Sequence, residues 1–246
     1  MNNNFLYIIT VVLTSCSILA LIFIITNRFI DELMYSAFDN KELDKQDLSY
    51  KQESLKYKIL KRVFDIVFSL VGILVFIIYF PIIAVAIKLE SNGPIFFRVK
   101  RIGVNKKVYY VYKFRTVYAD MIQAEGTVLR LSDLRLTRVG QLLRKTSLDE
   151  MTLFLNVLKG DMSCVGRSRA IEFLPDNDRQ QWLYNLKPGI VSLWAISRDR
   201  LEGDATDIIH YDLLYASMRS FLFDLMIIAR TIALSIGFIG NFKVKK

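Results

Sequence analysis

Asp149 and Glu150 are adjacent carboxylates in the stretch KTSLDEMTLFLNVLKGDMS. Of the residues in this sequence, these two are the best candidates for catalysis. A carboxylate that attacks a phosphate needs Mg²⁺ and guanidinium groups to neutralise the phosphoryl oxygens. Charged residues stand on both sides of the pair along the chain: Arg135, Arg138, Arg144, Lys145, Asp161, Arg167 and Arg169. This concentration predicts a phosphate-handling site, although each arginine alone is explained more readily by a surface position or a lipid headgroup contact.

The same stretch also fits the start of a helix. Ser147 and Glu150 have the spacing of a capping box, in which the serine caps the helix and the glutamate reaches back to the serine N–H. Lys159 and Gly160 are typical of the far end. The buried stripe would then consist of Leu148, Met151, Leu155 and Leu158. A helix N-terminus also stabilises carboxylates and attracts phosphate, so the two interpretations are compatible.

Composition indicates a membrane-bound chain with a basic part. The 246 residues are 53% hydrophobic yet carry a net charge of +9, and the mean hydropathy is +0.32 at a pI near 9.5. Two cysteines cannot form a disulfide framework, which favours a cytosolic catalytic part. With His210 as its one histidine, the chain lacks the ligands that a zinc site or a histidine-based triad would need, so a metal is expected to be Mg²⁺ on oxygen ligands.

An N-terminal membrane anchor comes first. Phe5–Thr26 contains no charged residue and would span about 33 Å as a helix, enough for a bilayer core. The start MNNN lacks the cationic region of a secretory signal, which favours a retained anchor over a cleaved leader. Residues 1–30 are therefore predicted to be a transmembrane anchor, and residues 31–57 a polar linker.

The second apolar segment, residues 62–90, has basic residues on both flanks. Positive charges favour the cytoplasmic side, so the segment is predicted to enter the membrane and return to the same face, with a break at Pro81. A plain spanning helix with a proline kink is the alternative. Asp65 would need a cationic partner in this setting, and its candidates are Lys61, Arg62 and Lys88.

The rest of the chain, within a domain assigned to residues 58–246, has the character of a small cytosolic catalytic unit. A turn at residues 92–94 and the alternating KKVYYVYKFRTV predict a short β-hairpin. Most of the remainder reads as helical, and residues 213–240 are predicted to form an interfacial helix, with a second transmembrane helix as the alternative. The expected fold class is a membrane-associated, mostly helical α+β protein.

Several motifs follow one another between residues 58 and 238: KRVFDIV, KLESNGPIFFRVKRIG, YKFRT, LTRVGQLLRKTSLDE, NVLKGDMSCVG, KPGI and IIARTI. This order resembles one family, the bacterial sugar transferases, which are monotopic polyprenyl-phosphate phosphoglycosyl transferases. The resemblance implies transfer of a sugar-1-phosphate from a nucleotide sugar, usually a UDP-sugar, to undecaprenyl phosphate. Such a reaction begins a surface glycan on its lipid carrier, at the bacterial inner membrane with the catalytic domain facing the cytoplasm.

The resemblance also implies roles for residues. Asp149 would be the nucleophile that forms a covalent phosphosugar, and Glu150 would bind Mg²⁺ with it or tune it. The substrate-binding set is predicted to be Lys113, Arg115, Arg138, Arg144, Asp161, Arg167 and Arg169. Besides the two substrates, expected partners are membrane lipids and either a second copy or other glycan-assembly proteins. Nucleic acid is not expected, because no recognisable binding signature is present.

Three stretches depart from the family pattern. VGPRP is replaced by VGRSR at residues 165–169, so that Arg167 or Arg169 would have to substitute for the family arginine. DELPQ becomes DEMTL, with Thr152 in place of proline, and GLWQVSGR becomes SLWAISRD at residues 192–199. These changes motivate the alternative function, a catalytically inactive relative that acts as a membrane scaffold in glycan assembly.

Overall fold

The computed structural model describes residues 54–118, 135–169, 182–197 and 205–235, together with residues 14, 17, 21, 24, 25 and 28–32. Its helices are α1 (Leu55–Glu90), α2 (Arg138–Lys145), α3 (Leu153–Lys159), α4 (Ala205–Met218) and α5 (Phe221–Ser235). Its strands are β1 (Phe96–Ile102), β2 (Val108–Phe114), β3 (Ser163–Val165) and β4 (Gly189–Val191). The mostly helical α+β class is confirmed. The N-terminal residues described are helical, whereas most of the predicted anchor and linker lies outside the described residues.

Helix α1 is the dominant element. Ser54 caps its start by accepting a hydrogen bond from the N–H of Tyr57 at 3.2 Å. At about 1.5 Å per residue, its 36 residues extend about 54 Å. Among the described residues it is the helix long and apolar enough to cross a membrane. Since it begins at Leu55, the last residues of the predicted linker are already helical, while its end at Glu90 matches the prediction.

Pro81 does not interrupt this helix. Every residue from Leu55 to Glu90 is helical, with Pro81 inside. A proline removes one backbone hydrogen bond, and the packing of neighbouring turns maintains the helix across that gap. The helix therefore has no non-helical residue at the predicted break, Pro81. The predicted return to the same membrane face stays a prediction.

One side of α1 packs against the rest of the fold and the other side is exposed. Phe68 contacts Phe154 of α3, with the ring centroids 6.0 Å apart, and Phe80 stacks on Phe96 of β1 at 5.7 Å. The exposed side carries large apolar residues, among them Ile59, Leu60, Val63, Val67, Leu70, Val71, Leu74, Ile77, Ile78, Ile82 and Val85. Helix α1 therefore combines an apolar exposed side with a side that belongs to the domain.

The predicted β-hairpin is confirmed. Strands β1 and β2 pair antiparallel, with Phe96 opposite Phe114 at one end and Ile102 opposite Val108 at the other. Phe114 is fully buried in a cluster with Ile83 of α1 and Leu143 of α2. Further along β2 burial alternates: Tyr109 and Val111 pack against Leu153 of α3, whereas Tyr110 and Tyr112 are exposed.

Asp65 has partners other than those predicted. Its Oδ1 accepts hydrogen bonds from Ser163 Oγ at 3.1 Å and from the backbone N–H of Cys164 at 2.9 Å. Because β3 lies directly against this turn of α1, backbone and hydroxyl donors satisfy the carboxylate. The predicted cations bind elsewhere: Lys61 to Asp224, and Arg62 and Lys88 to backbone carbonyls.

The C-terminal helical part consists of two helices. The chain leaves the helical state at residues 219–220, where Ser220 Oγ accepts a hydrogen bond from the N–H of Phe223 at 3.2 Å and starts α5. The predicted continuous helix over residues 213–240 is therefore wrong, because a serine N-cap begins a new helix inside it. Residues 236–240 lie outside the described part, and the interfacial location stays a prediction.

Residues near the N-terminal end join this C-terminal core. Ile30 is fully buried in a cluster with Tyr211 of α4 and Ile227 of α5. Asp31 forms an ion pair with Arg230 of α5 at 2.6 Å, and the arginine side chain is only 2% exposed. The end of the N-terminal helical stretch is thus part of the packed fold.

Candidate active site

The carboxylate pair lies on a short 3₁₀ turn, Leu148–Glu150, before α3. Ser147 adopts a left-handed conformation with φ of 56° and makes no capping hydrogen bond. The predicted capping box is therefore wrong, because the left-handed residue directs the chain into a 3₁₀ turn and the α-helix begins only at Leu153. The predicted end at Lys159 and Gly160 is confirmed, with Gly160 left-handed at φ of 96°.

The delayed helix start also changes which residues are buried. The buried side of α3 contains Leu153, Asn156 and Val157, whereas Leu155 of the predicted stripe is 39% exposed. The stripe prediction was wrong because it counted helical turns from Ser147. Compared with the predicted helix, α3 is rotated about its axis, so that polar side chains face the hairpin.

Thr152 and Asn156 fasten the carboxylate turn to β2. Thr152 Oγ1 donates a hydrogen bond to the carbonyl of Tyr112, and Asn156 Nδ2 donates to the carbonyl of Tyr110 at 2.8 Å. Both side chains are almost fully buried. This attachment brings Lys113, the next residue of β2, to the carboxylate pair, so that the threonine at the departure position has a structural function.

Glu150 lies between two cations. Its Oε1 pairs with Lys113 Nζ at 2.6 Å and its Oε2 with Arg169 Nη2 at 2.8 Å. Burial alone would raise the pKa of this carboxyl, but Arg169 and Lys113 outweigh burial and hold the pKa well below its usual range. Glu150 is therefore ionised at neutral pH, and it fixes the two cations beside Asp149.

Asp149 has a different environment. Its side chain is buried, 8% exposed, and it makes no hydrogen bond or ion pair to another side chain within the described ranges. Burial raises its pKa, and the neighbouring Glu150 charge raises it further, while Lys113 and Arg144 act in the opposite direction. The carboxylate accepts a hydrogen bond from its own backbone N–H. A carboxylate that no neighbouring side chain binds, close to cations, has lone pairs available for attack on an electrophile.

Two of the predicted substrate-binding arginines lie at this site. Arg144, in the last turn of α2, is held by a hydrogen bond from its Nε to Thr116 Oγ1 at 3.0 Å. Arg169 binds Glu150 with both terminal nitrogens and also donates to the carbonyl of Ile190 at 3.2 Å. The structure thus groups Lys113, Arg144 and Arg169 with the acidic pair.

Two other predicted arginines are buried and bind backbone carbonyls. Arg115 donates to the carbonyls of Ser91 and Asn92, which fixes the turn after α1. Arg167 donates to the carbonyls of Leu186 and Ile102 at 3.3 and 2.7 Å. Both side chains are 2% exposed or less. Between the two arginines of VGRSR, Arg169 is the one that reaches the carboxylates.

The remaining predicted residues lie at the margins. Arg138 begins α2, and its backbone N–H donates to Glu90 Oε1 at 2.6 Å, so that the last residue of α1 anchors α2. Asp161 follows the C-terminal end of α3, and its N–H donates to the carbonyl of Asn156 at 3.0 Å. Asp149 lies before the opposite end of this helix. The two acids thus flank opposite ends of α3, and the role of Asp161 in substrate binding stays a prediction.

Sequence reasoning missed Asp212, which orders the loop that carries Arg169. Its Oδ1 accepts a hydrogen bond from the backbone N–H of Ser168 at 2.7 Å, while its buried Oδ2 has no partner. Burial raises the pKa of Asp212 to about 7, against the opposing effects of the Ser168 N–H and Arg167. The only signal in the sequence is an acid within an apolar helix, YDLLY.

The pKa of Asp212 predicts that stability depends on pH. Between pH 4 and 7 the folded protein retains a proton that the unfolded chain releases, so the free energy of unfolding decreases as the pH rises through this range. The raised pKa of Asp212 corresponds to at most about 4 kcal/mol of this free energy. We expect the melting temperature of the native chain to fall between pH 5 and 8, and that of Asp212→Asn to fall less. The exposed Glu32 provides a control: the melting temperature of Glu32→Gln should depend on pH as that of the native chain does. The same pH dependence in Asp212→Asn and the native chain would contradict the raised pKa of Asp212.

Which metal or cofactor these residues could hold follows from their chemistry. Among the described residues, no cluster of three or more His, Cys, Asp or Glu side chains is present. Mg²⁺ commonly binds through one or two carboxylates, with water and substrate phosphates completing its shell. Asp149 and Glu150 provide that minimum, so the donor set fits Mg²⁺ bound together with a diphosphate substrate.

Comparison with known proteins identifies a family. The family model for bacterial sugar transferases matches residues 56–237. A UDP-N-acetylgalactosamine-undecaprenyl-phosphate N-acetylgalactosaminephosphotransferase of Aeromonas hydrophila is 35% identical over 72% of this chain and 43% of its own length. A UDP-glucose:undecaprenyl-phosphate glucose-1-phosphate transferase of Klebsiella pneumoniae is 36% identical over 71% of this chain and 39% of its own length.

A shorter relative is matched over most of its length. The exopolysaccharide production protein PSS of Rhizobium leguminosarum bv. phaseoli is 36% identical over 71% of this chain and 94% of that protein. The chain spans less than half the length of the Aeromonas and Klebsiella relatives. The matched region contains α1, the hairpin, both carboxylates and the cations around them. The chain belongs to the bacterial sugar transferase family.

Proposed function

We propose that this protein transfers a sugar-1-phosphate from a nucleotide sugar, with UDP-sugars as the first candidates, to undecaprenyl phosphate. The observation that carries the proposal is the buried Asp149 carboxylate, to which no other described side chain is hydrogen-bonded, next to cations that Glu150 fixes in place. The names of the relatives, which act on UDP-sugars and undecaprenyl phosphate, support the two substrates. The transfer would begin assembly of a surface polysaccharide or glycoconjugate.

In the first proposed step, an oxygen of Asp149 attacks the phosphorus that carries the sugar. The bond between this phosphorus and the bridging oxygen of the diphosphate breaks, and UMP leaves with the bonding electron pair. Lys113, Arg144 and Arg169 neutralise the phosphoryl oxygens, so that the anionic carboxylate can approach. Glu150 holds Lys113 and Arg169 in position. The product of this step is an aspartyl phosphosugar.

In the second proposed step, an oxygen of undecaprenyl phosphate attacks the same phosphorus. The bond to Asp149 breaks, its carboxylate is restored, and the lipid leaves as a diphosphate-linked sugar. For the first step, Asp149 and Glu150 would hold Mg²⁺, which would neutralise part of the charge of the donor diphosphate. Burial of Asp149 excludes water from the intermediate, which would otherwise be hydrolysed to free sugar phosphate.

The packing of α1 supports a location on one face of the membrane. Folded-domain contacts occur near both ends of the apolar stretch, at Asp65 and at Ile87, which are about 33 Å apart along a helix. A helix that crossed the bilayer directly would carry one of these contacts to the opposite side. We therefore favour the re-entrant arrangement, in which α1 bends at Pro81 without a non-helical residue, and the catalytic domain faces the cytoplasm of the bacterial inner membrane.

The direct test is release of UMP by the purified protein in nanodiscs with Mg²⁺, undecaprenyl phosphate and a panel of UDP-sugars. Release with one donor and formation of the matching lipid-linked sugar are expected. Folded protein that turns over no nucleotide sugar would contradict the proposal. It would favour a scaffold in a glycan-assembly complex, which the altered VGRSR loop first suggested.

The two arginines of VGRSR provide a matched pair of variants. Arg169→Lys removes a bidentate hydrogen bond to Glu150, which lysine cannot reproduce. We therefore expect turnover to fall about 10- to 100-fold, with little change in melting temperature. Arg167→Lys removes buried bonds to carbonyls, so we expect a lower melting temperature instead. Initial rates and thermal melts of both variants separate the two roles. Equal losses of rate at equal stability would contradict this assignment.

A further inference from the structure

A second cationic site lies at the C-terminal end of α3, away from the carboxylate pair. Arg62 of α1 donates from Nη1 to the carbonyl of Val157 at 2.7 Å and from Nη2 to that of Leu158 at 2.8 Å. These bonds fix the plane of the guanidinium at the helix end. The remaining N–H groups of this arginine are available to an additional acceptor.

Lys187 lies beside this guanidinium. A Cβ on Gly160 would lie 3.6 Å from Arg62 Nη2 and 3.8 Å from Lys187 Nζ, so both cations border the same small space. Lys187 is half-buried, and its ammonium forms no hydrogen bond or ion pair in the part of the chain that the structure describes. Burial lowers the pKa of Lys187, and repulsion from Arg62 lowers it further.

The acids near this pair do not neutralise it. Asp65 attracts Lys187 at a distance, but its Oδ1 accepts hydrogen bonds from Ser163 and Cys164. Asp161 also attracts Lys187 without forming an ion pair to it. A half-buried ammonium next to a second cation is costly unless an anion joins them. The site is therefore built to receive one.

The position of the site indicates the kind of anion. Ile59, Leu60 and Val63, on the same turns of α1 as Arg62, are 56%, 47% and 53% exposed. These residues begin the apolar exposed side of the helix, where it would enter lipid. Cations next to the start of a lipid-facing surface are typical of contacts with anionic headgroups.

We propose that Arg62 and Lys187 bind the phosphate of an anionic membrane phospholipid. The reacting phosphate of the acceptor lipid is a different ligand, because α3 separates this site from Asp149. Helix α3 is about 10 Å long, whereas reacting atoms must approach to about 3.5 Å. The proposal concerns retention at the membrane and is independent of the transfer reaction.

The test uses the full chain in a neutral detergent, with thermal melts during titration of phosphatidylglycerol or phosphatidylcholine. For the native chain, we expect phosphatidylglycerol at tenfold its Kd to raise the melting temperature by about 4 °C, and phosphatidylcholine to have no such effect. Lys187→Gln should lose most of this shift, and Lys187→Arg should retain it. Lys107→Gln, at an exposed lysine of the hairpin turn, is the control and should respond like the native chain.

Several results would overturn the proposal. An unchanged shift in Lys187→Gln would remove Lys187 from the site. An equal, Lys187-dependent shift with inorganic phosphate would indicate a free-anion site, and a shift with undecaprenyl phosphate alone would assign the site to the acceptor. If Lys187→Gln does not fold, native mass spectrometry of the native chain decides: retained phosphatidylglycerol supports the proposal and its absence contradicts it. UMP release, measured in parallel, reports on the transfer reaction separately.

Discussion

Asp149→Asn is expected to abolish formation of the lipid-linked sugar, with turnover reduced by at least about 10³-fold. Asparagine has nearly the same shape, but its amide oxygen is a far poorer nucleophile than a carboxylate oxygen, so the aspartyl phosphosugar cannot form. The loss should appear in kcat, because the cations that contact the diphosphate remain. UMP release in nanodiscs measures the effect.

The folded state should tolerate this change. Burial raises the pKa of Asp149, which means that the folded protein destabilises the ionised carboxylate, and a neutral amide avoids that cost. We therefore expect the melting temperature of Asp149→Asn to equal or exceed that of the native chain. Asp207→Asn, in the first turn of α4, is the control and should retain turnover.

A direct observation of the intermediate complements the kinetic test. The native chain incubated with donor but without undecaprenyl phosphate should gain the mass of one sugar phosphate, and Asp149→Asn should not. Turnover that persists undiminished in the variant would rule out covalent catalysis by Asp149. An adduct on the variant would assign the nucleophile to a different residue.

Gly140→Ala is expected to produce the largest loss of stability. A Cβ at this position would lie 2.0 Å from the carbonyl oxygen of Thr116 and 2.6 Å from its carbonyl carbon. Both are backbone atoms, so no side-chain rotation can relieve the overlap. Helix α2 would have to move away, which breaks the hydrogen bond between Arg144 and Thr116 and removes Arg144 from the carboxylate pair.

The sign of this effect distinguishes it from ordinary helix propensity. In an exposed helix, replacement of glycine by alanine stabilises by up to about 1 kcal/mol, whereas overpacking against rigid atoms costs about 3 kcal/mol or more. We expect a melting temperature at least about 6 °C lower, with activity lost in proportion. Gln141→Ala, at the exposed neighbouring position, should change neither. A melting temperature that rises in Gly140→Ala would show that α2 is not in close contact with the backbone at Thr116.

Local patterns predicted the elements whose causes are local. The alternation in KKVYYVYKFRTV reflects a hairpin with one buried face, and Tyr109 and Val111 occupy that face. The apolar run that ends at Glu90 and the glycine that ends α3 were found for the same reason. In each case the residues that form the element lie within a few positions of one another.

The failures concern contacts between distant parts of the chain. Five arginines near the carboxylates look alike in the sequence, but Arg167 binds the carbonyl of Ile102, 65 positions away, whereas Arg169 reaches Glu150. The left-handed Ser147 was missed because two hydrogen bonds to the hairpin determine where α3 begins. Thr152 and Asn156 donate them to carbonyls that lie 40 and 46 positions earlier in the chain. Asp212 was missed because its partner is a backbone N–H in another loop.

The ion pair between Asp31 and Arg230 joins positions 199 residues apart. This ion pair therefore connects the N-terminal helical residues to α5. A force applied to the N-terminal segment would act on α5 before it acts on the hairpin or the carboxylate turn. The segment that the family model matches, residues 56–237, therefore leaves out Ile30 and Asp31, which belong to the packed fold. A fragment that started at residue 56 would lose Ile30 from the core and the Asp31 carboxylate from a guanidinium that is almost completely buried.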